Sequence, residues 1–231
     1  VNLRDRPSPN FGPRKGGADP DMVVLHYTAM ESAEAALDRL CDPVAEVSCH
    51  YLVGRCGTVW TLVGEAHRAW HAGAGSWGGR ADVNSHSIGI ELDNDGTAPF
   101  SEPLMESLEA LLSDVLRRNG IPPVRVIGHS DMAPGRKLDP GARFDWRRLA
   151  ADGLAIWPQP ESGTLPVVDM AAFCRCLSGF GYPQGGAPEV LLEAFRSRFR
   201  PWAKGALSTE DMALAHELRH RFPVDPPRGT A

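Results

Sequence analysis

Two histidines, two carboxylates and a lysine stand where this chain could do chemistry. His26 closes the apolar run Met22-Val23-Val24-Leu25, and His129 follows Val124-Arg125-Val126-Ile127-Gly128. Side chains at strand ends project from a rigid frame into loops, where sites are usually built. The segment after His129, Ser130 through Gly141, is rich in proline and glycine, which force a folded loop that could bring Asp139 back near His129. Two imidazoles and one carboxylate suit a catalytic zinc ion. Three protein ligands leave the fourth tetrahedral position for a water, whose pKa the metal lowers toward neutrality. Spacing alone leaves this open, because two histidines 103 residues apart are commonly unrelated.

Glu91 lies in Ser87–Asp93, where Ile88, Ile90 and Leu92 alternate with Gly89, Glu91 and Asp93. A carboxylate on the polar face of such a strand is a candidate general base. A solvated carboxylate on an exposed sheet face fits the same pattern. Lys137 precedes Asp139 by two residues and could stabilise an oxyanion beside a metal, though a surface lysine reads the same way.

These residues need a frame. Met22–Leu25, Val47–Val53, Thr58–Val63, Ser87–Asp93 and Val124–Ile127 read as strands, with Gly54-Arg55-Cys56-Gly57 as a hairpin turn. Glu31–Cys41 has helical spacing and stops at Asp42-Pro43. The clearest helix spans Pro103–Asn119, with Ser101 as cap, a leucine stripe, Arg117 and Arg118 at its negative end, and Gly120 as its stop. The fold class expected is α/β, a mixed central sheet flanked by helices.

The chain has 231 residues, which fits one medium domain and a small one. Three prolines between 157 and 166 mark a linker, giving expected units at 1–156 and 167–231. Beyond it, three amphipathic stretches predict a three-helix bundle, with Asp169, Pro188 and Ser208 or Thr209 at their starts. A net charge of −5 gives no support to a nucleic-acid partner, and no apolar run is long enough to span a membrane. Five cysteines, an odd number at low density, favour free thiols.

Five blocks together resemble a known family. They are Val24-Leu25-His26-Tyr27-Thr28, Ser48–Val53, Ala69-Trp70-His71-Ala72-Gly73, Asn84–Glu91, and Gly128-His129-Ser130-Asp131 through Arg136-Lys137-Leu138-Asp139-Pro140-Gly141. Their order and spacing resemble the zinc N-acetylmuramoyl-L-alanine amidases of the AmpD/AmiD type, which share a fold with peptidoglycan recognition proteins. The resemblance implies one zinc ion held by His26, His129 and Asp139. It also implies Glu91 as catalytic base and Lys137 as oxyanion stabiliser. The implied activity is hydrolysis of the lactyl–L-alanine amide of peptidoglycan or muropeptides, 1,6-anhydro forms included, in cell-wall recycling or turnover. All five residues are present, which weighs against a non-catalytic fragment-binding protein, the alternative reading.

Tyr27, His50, Trp70 and Arg136 are candidate substrate contacts. Trp70 suits a sugar-stacking wall or a core, and Arg136 suits a peptide carboxylate or open solvent. Leu177–Pro183, Ala194-Phe195-Arg196 and Phe199-Arg200-Pro201 resemble a three-helix peptidoglycan-binding domain. His216-Glu217-Leu218-Arg219-His220 has the form of a zincin protease motif, but nothing after it supplies a third ligand. Cys174 reads as a core cysteine. A monomer is expected. The thiols, and a start at Val1–Pro7 without an apolar core, favour the cytoplasm; a peptidoglycan-binding segment favours the periplasm or envelope.

Overall fold

The computed structural model of the chain describes residues 2–160 and 166–224. Its strands are β1 (Asn2–Asp5), β2 (Phe11–Pro13), β3 (Met22–Tyr27), β4 (Tyr51–Val53), β5 (Thr58–Thr61), β6 (His67–Ala69), β7 (Ser87–Leu92) and β8 (Val126–Gly128). Its helices are α1 (Ala33–Cys41), α2 (Val83–His86), α3 (Glu102–Asn119), α4 (His129–Met132), α5 (Trp146–Ala151), α6 (Met170–Phe180), α7 (Pro188–Phe199) and α8 (Thr209–Arg221).

Six strands form one mixed sheet in the order β1-β5-β4-β7-β3-β8. The hairpin β4/β5 is antiparallel, and the other neighbours run parallel. β2 and β6 pair separately. Alternation along the central strands splits the sheet into two faces. Val23, Leu25, Ile88, Ile90, Leu92 and Val126 pack against the leucine stripe of α3 and against Trp146 and Leu149 of α5. On the opposite face, Leu52 meets Ala36, Leu37 and Leu40 of α1. Met22, Val24 and Ile127 on that same face join a cluster built mainly by α6, α7 and α8. The second face is therefore covered at its two sides and left open between them.

Local sequence explains where elements begin. Ser32 caps α1 by accepting from the Ala35 amide, so the helix starts at Ala33 rather than at Glu31. α3 follows Ser101 and ends at Gly120, whose φ of 64° is the left-handed conformation that glycine adopts without strain. Pro123 opens a 3₁₀ turn through Arg125, so β8 starts at Val126 rather than at Val124. Asp169 caps α6, Pro188 is the first residue of α7, and Ser208 and Asp211 cap α8 reciprocally. On α6, Cys176 takes the core position while Cys174 is only half-buried, because Phe173, Cys176, Leu177 and Phe180 define the buried stripe.

The three C-terminal helices form a bundle and share one apolar cluster with the sheet. Phe173, Phe180, Phe195 and Phe199 interlock within it, and Trp77 meets Phe180 and Tyr182 at 5.3 and 5.2 Å. Of the linker expected over 157–166, residues 161–165 lie outside the described residues. Trp157 at its start packs 6.0 Å from Phe199. Inside this join, Asp131 accepts hydrogen bonds from the Gly128 amide, the Tyr182 hydroxyl and Arg198 at 2.8, 2.5 and 2.6 Å. The Arg198 guanidinium also lies 4.1 Å from the Trp146 ring. Both charges of this pair are sealed from solvent. Burial without a partner would be costly for either, and here each holds the other.

Candidate active site

The open part of the second face holds the expected residues. Strand register places Leu52, Glu91 and His26 in one row across β4, β7 and β3. His129 starts α4 at the point where β8 ends. The loop beyond it turns back, and the Ser130 amide donates to the Asp139 carbonyl at 2.9 Å. The Asp139–Pro140 bond is cis.

Three ligand atoms converge. His26 Nδ1 lies 2.9 Å from both His129 Nδ1 and Asp139 Oδ2, and His129 Nδ1 lies 3.0 Å from that same oxygen. The far nitrogens of both imidazoles are engaged elsewhere. His129 Nε2 donates to the Ala72 carbonyl at 2.8 Å, and His26 Nε2 lies 3.0 Å from His71 Nδ1. Two imidazole lone pairs and a carboxylate oxygen aimed at one point are the donor set a tetrahedral divalent ion needs, with its outer hydrogen bonds in place. Among the described residues this is the one cluster of three such groups. His216 and His220 stand exposed on α8 with no third ligand beside them.

Electrostatics support the same reading. Burial and the neighbouring His129 push His26 down to about 4, so it is neutral and able to ligate at neutral pH. Burial alone would raise Asp139, but the two imidazoles that face it, His129 and His26, hold it below the usual carboxylate range. Glu91 goes the other way. Burial, and then the charge of Asp139, raise it well above the carboxylate range, with Lys137 opposing. Its Oε2 is sealed and has no hydrogen-bond partner. An unpartnered buried carboxylate oxygen beside a metal-ligand set is a base awaiting a proton.

The cleft over this centre has a volume of about 480 Å³. Glu91, Lys137, Tyr27, Trp70 and Arg136 all line it. Arg136 also donates to the Ala72 carbonyl at 2.7 Å, the oxygen that receives His129 Nε2. His50, expected at the cleft, is instead fully buried, its ring centroid 5.9 Å from that of His71. Its Nδ1 accepts from the Gly89 amide at 2.9 Å and its Nε2 donates to the His67 carbonyl at 3.1 Å, so neither nitrogen is free for a ligand.

His71 has no role that its sequence position alone assigns. Its ring is buried against His26, with centroids 5.1 Å apart. Burial and the surrounding imidazoles hold it well below its ordinary pKa. The signal available was Gly89. A Cβ there would sit 2.4 Å from the His71 ring, so the strand is bare at that point because an imidazole lies on it.

Comparison with known proteins agrees with this geometry. Residues 16–142 match the sequence profile of the family described as N-acetylmuramoyl-L-alanine amidase. The chain is 35% identical over 234 alignment positions to N-acetylmuramoyl-L-alanine amidase AmiD of Escherichia coli, covering 88% of this chain and 84% of that protein. It is 32% identical to the 1,6-anhydro-N-acetylmuramyl-L-alanine amidase AmpD of Haemophilus influenzae, over 64% of this chain and 90% of that one. The solved complex of E. coli AmiD with anhydro-N-acetylmuramic acid-L-Ala-D-gamma-Glu-L-Lys superposes with a TM-score of 0.78 at 32% identity. That superposition covers 90% of this chain and 96% of the other.

Proposed function

This chain belongs to the N-acetylmuramoyl-L-alanine amidase family, and from that premise we propose a zinc enzyme acting on muropeptides, 1,6-anhydro forms included. The bond cut is the amide between the lactyl group of N-acetylmuramic acid and the L-alanine of the stem peptide. The observation that carries this reading is the convergence of His26, His129 and Asp139 within 3.0 Å, with Glu91 in register beside His26.

His26, His129 and Asp139 would hold the ion. When bound, zinc would lower the pKa of a water and polarise the scissile carbonyl. Glu91 accepts the proton of the attacking water. Its raised pKa makes it a strong enough base for that step and a strong enough acid to protonate the departing alanine amine. Lys137, on the cleft wall, stabilises the oxyanion that develops on the lactyl carbonyl. Trp70 and Tyr27 offer aromatic walls for the sugar and peptide.

The likeness to relatives named for anhydro-muramyl substrates supports the anhydro choice. A role for the C-terminal helices in peptidoglycan contact belongs to the same proposal. So does a monomer working in the cytoplasm, where its five free thiols would stay reduced.

Mass spectrometry of a soluble anhydromuropeptide incubated with the protein tests the reading. Free peptide should be released, the release should stop with a chelator, and added zinc should restore it. Zinc-loaded protein that binds the fragment without ever releasing peptide, from it or from purified sacculi, would overturn the enzymatic assignment.

A further inference from the structure

A hydrogen-bond chain leads away from the ligand set into the scaffold, and it has a direction. At its far end Ser87 Oγ lies 2.6 Å from the Val83 carbonyl oxygen. A carbonyl can only accept, so the hydroxyl proton lies on that contact. Ser87 Oγ also lies 3.1 Å from His71 Nε2. With its proton committed, the hydroxyl must accept there, and His71 carries its proton on Nε2. His71 Nδ1 is then a bare lone pair, 3.0 Å from His26 Nε2. His26 must therefore donate from Nε2. A neutral imidazole has one proton, so His26 Nδ1 is left free where it faces His129 and Asp139.

We propose that His71 and Ser87 are positioning residues that fix the tautomer of His26, transmitting the fixed polarity of the Val83 main-chain carbonyl to the metal-binding nitrogen. The inference rests on the zinc reading above. The site is built for this relay. His71 is held over Gly89, where any side chain would collide with its ring. Its main-chain amide and that of Ala72 both donate to Asn84 Oδ1, at 3.1 and 2.8 Å, which ties the imidazole-bearing loop to the helix that carries Val83. The two ligand histidines thus reach the same tautomer by different routes. His129 meets a main-chain carbonyl directly, while His26 reaches one through a second imidazole and a hydroxyl.

Zinc affinity, measured by competition with a chromogenic chelator, tests this on the full chain. His71→Ala should weaken zinc binding roughly 10–100-fold, the range seen when the outer partner of a metal-bound histidine is removed. His71→Asn keeps an acceptor oxygen near the Nδ1 position and should recover most of that loss. Ser87→Ala should weaken binding less than His71→Ala in the wild-type background. It should have no further effect in the His71→Asn background, because the relay is already cut there. Nitrogen-15 shifts of His71 in the zinc-loaded wild-type protein should report a proton on Nε2 and a bare Nδ1, a result independent of any variant's folding. A proton on His71 Nδ1, or equal zinc affinity for wild type and His71→Ala, would overturn the relay and leave the zinc reading intact. A wild-type chain that binds no zinc would overturn both.

Discussion

The sheet-built region and the helical region bury different things. Around the cleft, residues 2–160 enclose His26, His50, His129, Asp139, Asn84 and Ser87. Each is held by a directional hydrogen bond to a known partner, Asp139 through its main-chain carbonyl. Residues 166–224 enclose Phe173, Phe180, Phe195 and Phe199, held by contact area with no preferred direction. A site needs atoms placed to a few tenths of an ångström, and hydrogen bonds to main chain provide that at the cost of burying polar groups. A bundle that covers one side of a sheet needs only volume. Two arginines on α7 show where the regimes meet. Arg196 pairs with Asp211 inside the bundle, while Arg198 crosses to Asp131, two residues from His129.

The sharpest break should come from the directional region. Glu91→Gln should lower turnover by about 10²–10⁴-fold with zinc still bound, as loss of a general base does. Peptide release and metal content measured on one sample check it, and unchanged turnover would remove Glu91 from the mechanism. Next is the crossing pair. Arg198→Ala leaves Asp131 charged and sealed, which should cost about 3–5 kcal/mol. Denaturant unfolding should show it as one lowered transition, because both regions share an apolar cluster. Two separate transitions in the wild-type protein would mean that the regions fold independently.

His50 sharpens the contrast through pH. Burial holds its pKa down to about 4 against an ordinary 6.5, although its bond to the His67 carbonyl opposes the shift. The folded state binds this proton less readily than the unfolded chain. Its contribution is therefore complete above pH 6.5 and is lost as pH falls toward 4, amounting to about 3 kcal/mol in full. His50→Gln should flatten the fall of melting temperature between those pH values; an identical slope would refute the neutral, buried assignment. Smallest is Tyr182→Phe. It removes one hydrogen bond to a charged carboxylate that keeps two others, and should cost about 1.5–3 kcal/mol by thermal melting.

What the sequence disclosed follows the same division. The α3 stripe, the Ser101 and Gly120 ends, the Asp169 and Ser208 caps and the β4/β5 hairpin are local patterns, and each is legible in a dozen residues. The alternation of β7 correctly put Glu91 opposite Ile88, Ile90 and Leu92. Short β1, β2 and β6 carry too few residues for a period to emerge. His26, His129 and Asp139 were legible through motif order and loop composition. His71 and Asp131 were not, because their roles come from partners 45 and 67 residues away. His50 was misplaced for a related reason. A histidine in a motif block looks the same whether its ring faces the cleft or the amide of a neighbouring strand.

The pairing of His26 with Glu91 across β3 and β7 has a consequence for how this centre tolerates change. Adjacent strands are about 4.8 Å apart in any sheet, set by the main-chain hydrogen bond and not by side-chain size. The spacing between base and ligand is thus a lattice constant of the backbone. Core substitutions can shift the sheet as a body, and cleft loops can change sequence, while that one interval stays the same.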